Sequence, residues 1–431
     1  MPDVTLPPAL IDSSPQESAQ LNVLPIGLHD AFFKGPFVAN NALYVVLLTT
    51  DGSTLVVVFK SVDGGATWAQ QDAANSPSYT GICRMTARLN PDGHTITISY
   101  NTTSVAPITL SWITFSALTD TFTAGSIPDL SVAGLGMEDC DWVVRSTGLD
   151  ILIVYPLVVA PNVSEADLGF SVLSAGVWSA FSSFAAGDDA TQVGWSIPSL
   201  LYDPGSGITY GFVQRQQLIT GVAFAADYAY QITAGPGNVP SVPVAISPSV
   251  ANYRPSYGRP AFWQNQVALA AYDTPLGANT FTMRVYLGGP LPAPVFTFTD
   301  IDSGATTNFT DLAVGQLAVD GTTLWALWLN WPDHATIQIR RSINTGSGWG
   351  AINLFYDLAT NPPNALALGS QGLFAFSAAQ IASLGVLFTV RDAAGTKPLA
   401  YFLRSAAAPP ATPTTNIVLG LKGMKVYPQA T

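Results

Sequence analysis

Charge is scarce in this chain. Of its 431 residues only 10% are Asp, Glu, Lys or Arg. Glu occurs only at Glu17, Glu138 and Glu165. Without Glu and Lys, a helix-rich fold lacks its usual builders. Two cysteines, Cys83 and Cys140, cannot make a zinc site unaided and form no CxxC pair. Both are expected as buried thiols. The three histidines, His29, His94 and His334, stand far apart and outside any His-Glu-x-x-His setting. They do not indicate a metal hydrolase or a Ser–His hydrolase. No GxSxG or P-loop occurs either. Long apolar runs are also missing. The longest candidate, Ile151 to Ala160, is broken by Pro156 and falls short of the roughly 18 residues of a membrane helix. Met1 to Gln20 has no basic n-region and no apolar h-region, so no signal peptide is expected. Synthesis in the cytoplasm follows as an expectation.

The net charge is −12, from 28 acids against 16 bases. Nucleic acid is therefore not expected as a partner, because phosphate binding needs a basic footprint. What the chain does have is hydrophobic mass, at 48%, together with abundant Thr, Val, Phe, Tyr, Gly and Pro. That balance is β-rich. A chain this apolar buries much of itself, or buries more in an assembly.

Periodicity decides the architecture. A unit recurs at roughly 45–60 residues, the spacing of propeller blades with loop insertions. Units start near Gly35, Gly81, Cys140, Ser196, Gly258, Asn308 and Asn364. Each holds a hairpin turn between apolar runs, such as Pro91-Asp92-Gly93, Gln264-Asn265 or Asp320-Gly321. The expected fold is all-β, a seven-bladed β-propeller, with six blades as the alternative. Residues 1–34 form an N-terminal arm, 35–405 the propeller, and 406–431 a linker with a C-terminal strand. The strand-like stretches Gln20-Leu21-Asn22-Val23-Leu24 and Ile417-Val418-Leu419-Gly420-Leu421 are candidates to close the ring.

One octapeptide stands apart. Ser61-Val62-Asp63-Gly64-Gly65-Ala66-Thr67-Trp68 fits Ser-x-Asp-x-Gly-x-Thr-Trp at all fixed positions. It resembles the Asp-box of the sialidase-like (BNR-repeat) β-propellers. The resemblance implies a turn between the last two strands of a blade, far from any catalytic centre. Asp63 suits a turn because its carboxylate accepts local amide hydrogen bonds. Gly65 suits a positive φ. Trp68 offers a large apolar ring to the blade flank, and Ser61 and Thr67 supply hydroxyls. A second copy runs from Ser342 to Trp349, keeping Ser342, Gly346 and Trp349 with Asn344 in place of Asp. Ser174-Ala175-Gly176-Val177-Trp178 is a fainter echo.

Sites in such proteins lie on the opposite face, where segments lead into the inner strand of each blade. Those segments carry Arg84 and Arg88, the acidic stretch Glu138, Asp139 and Asp141, the pair Asp188 and Asp189, then Trp195, Arg254, Tyr257 and Arg259. Exposed aromatics stack on sugar rings, and carboxylates accept sugar hydroxyls. The ligand-binding candidates are therefore Glu138, Asp139, Asp141, Asp188, Asp189, Trp195, Arg254, Tyr257 and Arg259. The competing reading is that Arg–Asp pairs satisfy one another around the channel. Sialidase chemistry, as the resemblance implies it, needs an arginine triad, a Tyr–Glu pair and an Asp acid. No motif aligns those here, so no catalytic residue, cofactor or metal is assigned.

The expected function is a non-enzymatic binding or assembly module. Its expected partner is a glycan or cell-surface receptor, as in a phage virion structural protein, with protein partners or a homo-oligomer besides. The alternatives are a sialidase-like glycoside hydrolase and an intracellular interaction scaffold. A hydrolase would need two carboxylates across a cleft, with Asp139 or Asp141 facing Asp188 or Asp189.

Overall fold

The computed structural model describes residues 9–12, 33–49, 55–79, 84–101, 107–123, 125, 127–133, 137, 140–146, 149–158, 166–188, 193–217, 224–234, 237–247, 250–251, 253–257, 260–275, 280–305, 316–320, 323–333, 336–357, 376–381, 383–391 and 398–404. Its strands form seven sheets of four to six strands. The chain is an all-β propeller. Each of the seven repeat units corresponds to one sheet, called here blades 1 to 7 in the order of their inner strands.

Blade 1 is typical. Phe33–Ala39, Ala42–Thr49, Leu55–Ser61 and Ala69–Gln71 pair antiparallel in chain order. The blades touch in cyclic order, through their inner strands at every junction but that between blades 4 and 5. Phe33–Ala39 meets Arg84–Leu89, which meets Asp141–Val144, which meets Val193–Asp203. In blade 5 the inner strand is split into Tyr253–Tyr257 and Ala261–Trp263. The first part lies beside Phe224–Thr233 of blade 4, and the second beside Gln316–Asp320 of blade 6. Phe376–Ile381 of blade 7 then touches Phe33–Ala39 again, so the ring closes on itself.

Period-two alternation explains the packing. In Ala42–Thr49, Tyr44, Val46 and Leu48 join a cluster with Met85, Ile96 and Phe115 of blade 2. Leu43, Val45 and Leu47 point the other way, into a cluster with Val57, Phe59 and Trp68. A blade held between two neighbours buries both its faces, which is why these strands read as unbroken apolar runs. Prolines fall where the ladder tolerates them. Pro36 and Pro198 sit in register shifts of inner strands, between Lys34 and Phe37 and between Ser196 and Ser199. An inner strand is an edge strand, and a missing N–H at its bulge costs no ladder bond.

Some boundaries differ from the sequence-based units. Blade 2 runs past Gly125, because Leu130–Val132 pairs with Ile108–Ser116. Blade 5 starts at Tyr253 and runs to Ala305. At the seam, Ala9–Asp12 pairs with Pro398–Arg404 of blade 7. Residues 20–24 and 417–421, the expected seam strands, lie outside the described residues, as does Cys83. Cys140 is half-buried rather than buried.

The turn at residues 61–68 joins the third and outer strands of blade 1. Asp63 accepts from the Ala66 amide (2.9 Å), the Thr67 amide (2.9 Å), the Thr67 hydroxyl (2.6 Å) and the Ser61 hydroxyl (2.7 Å). The Gly65 amide donates to Ser61 Oγ (2.8 Å), and Trp68 Nε1 donates to Gly65 O (3.2 Å). Gly64 and Gly65 take φ values of 69° and 92°, which a β-carbon would penalise. Desolvation pulls the Asp63 carboxyl up. The bonds from Thr67, Ser61 and Ala66 outweigh it and hold the group at about 2.

The turn in blade 6 is built alike. Asn344 Oδ1 accepts from the amides of Gly346 (2.8 Å) and Gly348 (3.3 Å). Both turns lie on the same side of the ring as the turns between inner and second strands. On that side three pairs of neighbouring blades are bonded to one another among the described residues. Tyr44 Oη and Asn40 Nδ2 donate to Ala117 O, and Lys60 pairs with Asp120 at 2.6 Å, joining blade 1 to blade 2. Arg145 bonds Asn238, joining blade 3 to blade 4. Gln231 Nε2 donates to Pro292 O at 2.9 Å, joining blade 4 to blade 5. These bonds brace that side of blades 1 to 5 at three junctions.

Candidate functional site

The other face is formed by the connections from second to third strand and from one blade to the next. Most of those connections lie outside the described residues. Among the candidates, Glu138, Asp139, Asp189 and Arg259 are outside them. Arg254 and Tyr257 stand in the inner strand Tyr253–Tyr257, paired with Thr274 and Ala271. Asp141, Asp188 and Trp195 are described in full.

Asp141 opens the inner strand of blade 3 and is buried. Its Oδ2 accepts from Arg88 Nη2 on the inner strand of blade 2. The same oxygen accepts from the Leu200 amide of blade 4 at 2.8 Å. Arg88 Nη2 also donates to Leu200 O at 3.0 Å. Asp141 Oδ1 accepts the Trp142 amide at 2.9 Å. One ion pair thus satisfies both backbone groups of Leu200 and ties three consecutive blades together. The expectation that Asp141 offers its carboxylate to a ligand is corrected. Its oxygens are already engaged, as the Arg–Asp alternative required. A neighbouring phenol belongs to the same region. Burial first, and the negative charge of Asp141 second, push Tyr230 well above its ordinary range.

Trp195 is corrected too. An exposed stacking platform was expected, yet the residue is only 5% exposed and packs with Val143, Leu152 and Tyr230. Its Nε1 donates to Ala186 O at 3.0 Å. The indole serves as a base for other groups. Tyr228 meets it edge-on at 5.1 Å, and the Arg215 guanidinium lies 5.4 Å from its ring centroid. Trp195 and Arg215 are cross-strand partners. A cation held on an indole face is favoured electrostatically, which fixes Arg215 near the end of Ile208–Gln217, where the chain turns onto this face.

Asp188 is half-buried. Its backbone exchanges two hydrogen bonds with Val193 (2.8 and 3.2 Å), so it closes the base of the loop at 189–192. Beneath it, Asp167 accepts from the Gly187 amide at 2.9 Å and the Ser183 hydroxyl at 3.1 Å. The arrangement fixes Asp188 and Val193, the described residues that flank 189–192, with Val193 two positions before Trp195.

Arg215 and Tyr228 were not singled out in the sequence. Their one signal was position: both are cross-strand or third-strand neighbours of a tryptophan that was singled out. Among the described residues no group of three or more His, Cys, Asp or Glu is placed to hold a metal ion.

No protein-family model and no curated protein sequence matches the chain. Its fold is similar to those of solved structures. One is an ulvan lyase of polysaccharide lyase family PL25, with a TM-score of 0.58, 11% identity, and 93% of this chain and 96% of that chain covered. The same lyase bound to -[GlcA(1-4)Rha3S]- gives the same values. The α-L-arabinanase of Penicillium chrysogenum complexed with arabinobiose matches with a TM-score of 0.43 and 13% identity, over 93% of this chain and 98% of that one. At these identities the likeness is one of fold.

Proposed function

We propose that this propeller is a glycan-binding module whose ligand docks on the face opposite the 61–68 turn, and that it binds without cleaving. The observation that favours binding over hydrolysis is the engagement of Asp141. A carboxylate held by Arg88 and by the Leu200 amide is neither a free nucleophile nor a general acid, so the hydrolytic pair built on Asp141 loses one member. The carbohydrate reading draws support from the ulvan lyase, which shares the propeller fold and handles a sugar chain. The charge of −12 disfavours a polyanionic glycan and favours a neutral one. On this reading Arg215, braced on Trp195, supplies hydrogen-bond donors to sugar hydroxyls, and Arg254 and Tyr257, in the inner strand of the next blade, are further candidates.

Glycan-array binding of the whole chain tests this. Binding to neutral glycans that falls about tenfold, or 1.4 kcal/mol, in Arg215→Gln and in Tyr257→Ala is expected. Absence of binding to any glycan would overturn it. So would shortened oligosaccharide products accumulating with time, which would restore the glycoside hydrolase.

A further inference from the structure

The outer strands of the blades are short, with one exception. Ala69–Gln71, Val177–Trp178 and Asn353–Asp357 have 3, 2 and 5 residues. Val295–Ala305 of blade 5 has 11. It is the last strand of its sheet, so its outward ladder groups have no strand partner among the described residues. A register shift leaves Ile301 as an extra residue between the pairs Arg284↔Asp300 and Met283↔Asp302. Residues 295–300 therefore form a regular edge, bounded by Pro294 and a bulge. Natural edges are usually blunted by brevity, charge or proline. Along its regular length this one is neither short nor broken by proline. Its single charge, Asp300, is already neutralised by Arg284 at 2.6 and 3.1 Å.

The edge is also apolar. Among the described residues nine large hydrophobic side chains are exposed, and five of them lie on the outer parts of blades 4 and 5: Val239, Val242, Val244, Val295 and Phe298. The two groups are contiguous. Ser241, between the valines of blade 4, donates its amide to Gln231 O at 2.8 Å, and Gln231 bonds Pro292 at the foot of Val295–Ala305. Phe298 is held in place, with Arg284 4.3 Å from its ring centroid and the Tyr286 ring 6.0 Å away.

We propose that this edge pairs antiparallel with the same strand of a second copy, making a two-fold dimer through blade 5. The sequence itself is symmetric there. Val295-Phe296-Thr297-Phe298-Thr299 reads aromatic and β-branched alike in both directions from Thr297. A two-fold contact sets a patch against itself, so it needs such symmetry, whereas a strand from an unrelated partner does not. Centred on Thr297, the pairing puts Phe296 opposite Phe298 of the partner subunit, and Val295 opposite Thr299 of the partner subunit. Aromatic and β-branched cross-strand pairs are the favourable ones. Asp300 falls opposite Pro294 of the partner subunit, so no like charges meet. The proposal is independent of the ligand-binding reading, because the edge lies on the rim.

Sedimentation velocity and light scattering on the whole chain over a concentration series test it. The wild type is expected to be a dimer. V295K/T299K sets lysine against lysine at both ends and is expected to raise the dimer dissociation constant at least tenfold. V295K/T299E sets lysine against glutamate in the same register and is expected to restore the dimer. Both positions are exposed, and unchanged thermal unfolding of the monomer confirms that the fold is intact. A wild-type monomer throughout, a larger oligomer, a dimer indifferent to V295K/T299K, or a charge swap no better than the double lysine would each overturn the proposal.

Discussion

Thr67 gives Asp63 two hydrogen bonds, one from its amide and one from its hydroxyl. In the second turn Asn344 and Gly348 hold the equivalent places, and both halves have changed together. Asn344 keeps the acceptor oxygen that takes the amide bonds. It lacks the second carboxylate oxygen, and Gly348 lacks the hydroxyl that would have needed it. Asp63→Asn alone should leave the Thr67 hydroxyl without its charged acceptor and cost about 1 kcal/mol. In the Thr67→Gly background the same change should cost measurably less. Chemical denaturation of the four proteins in that cycle checks it, and equal costs in both backgrounds would show that the turns are not equivalent.

The same carboxylate sets a pH dependence. Asp63 is held at about 2, below its ordinary value. The folded state therefore binds this proton less readily than the unfolded chain, and the stabilisation is present above about pH 4. It is lost as pH falls toward 2. Wild type should lose more stability over that window than Asp63→Asn, measured by denaturant midpoints at fixed ionic strength.

Asp227 behaves in the opposite sense. It lies in the third strand of blade 4, buried against blade 5, where Tyr286 Oη donates to its Oδ2 at 3.0 Å. Its Oδ1 has no hydrogen-bond partner among the described residues. Desolvation raises the group to about 6, although Tyr286 and Arg284 both act to lower it. The folded state thus binds the proton more tightly than the unfolded chain. This contribution is fully present below about pH 4 and is lost as pH rises through about 6. Asp227→Asn should flatten that slope and be at least as stable as wild type at pH 8. Retention of the slope in the variant would assign it to another group.

The fold was more legible than the site, for a physical reason. The turn bonds of Asp63 come from residues within four positions of it in sequence, so the turn shows as a motif. Blade cores show as runs such as 42–48, because both faces of a blade are buried. Arg88 and Asp141 are 53 residues apart, and Leu200 lies further still. Nothing local announces that these three converge, so Asp141 looked available for a ligand. Trp195 misled in a related way. Its place near an inner-strand entry suggested exposure, while the chain packs it under Arg215 and Tyr228.

Gly211 and Tyr230 are cross-strand partners in blade 4, and the phenol ring lies over the glycine. A β-carbon at residue 211 would stand 2.1 Å from Tyr230 Cζ and 2.6 Å from its hydroxyl. The ring cannot retreat easily, because it packs with Trp195 and Leu200 in the cluster between blades 3 and 4. Gly211→Ala should therefore destabilise the chain by about 1–3 kcal/mol, the usual cost of overpacking a core. The strain comes from Tyr230, so truncating that ring should relieve it. Gly211→Ala added to Tyr230→Ala should cost less than Gly211→Ala added to wild type, even though Tyr230→Ala is itself damaging. Thermal and denaturant unfolding of both singles and the double decide it. A cost of Gly211→Ala that is the same with and without the ring would mean that glycine is there for its backbone and not for the space it leaves to Tyr230.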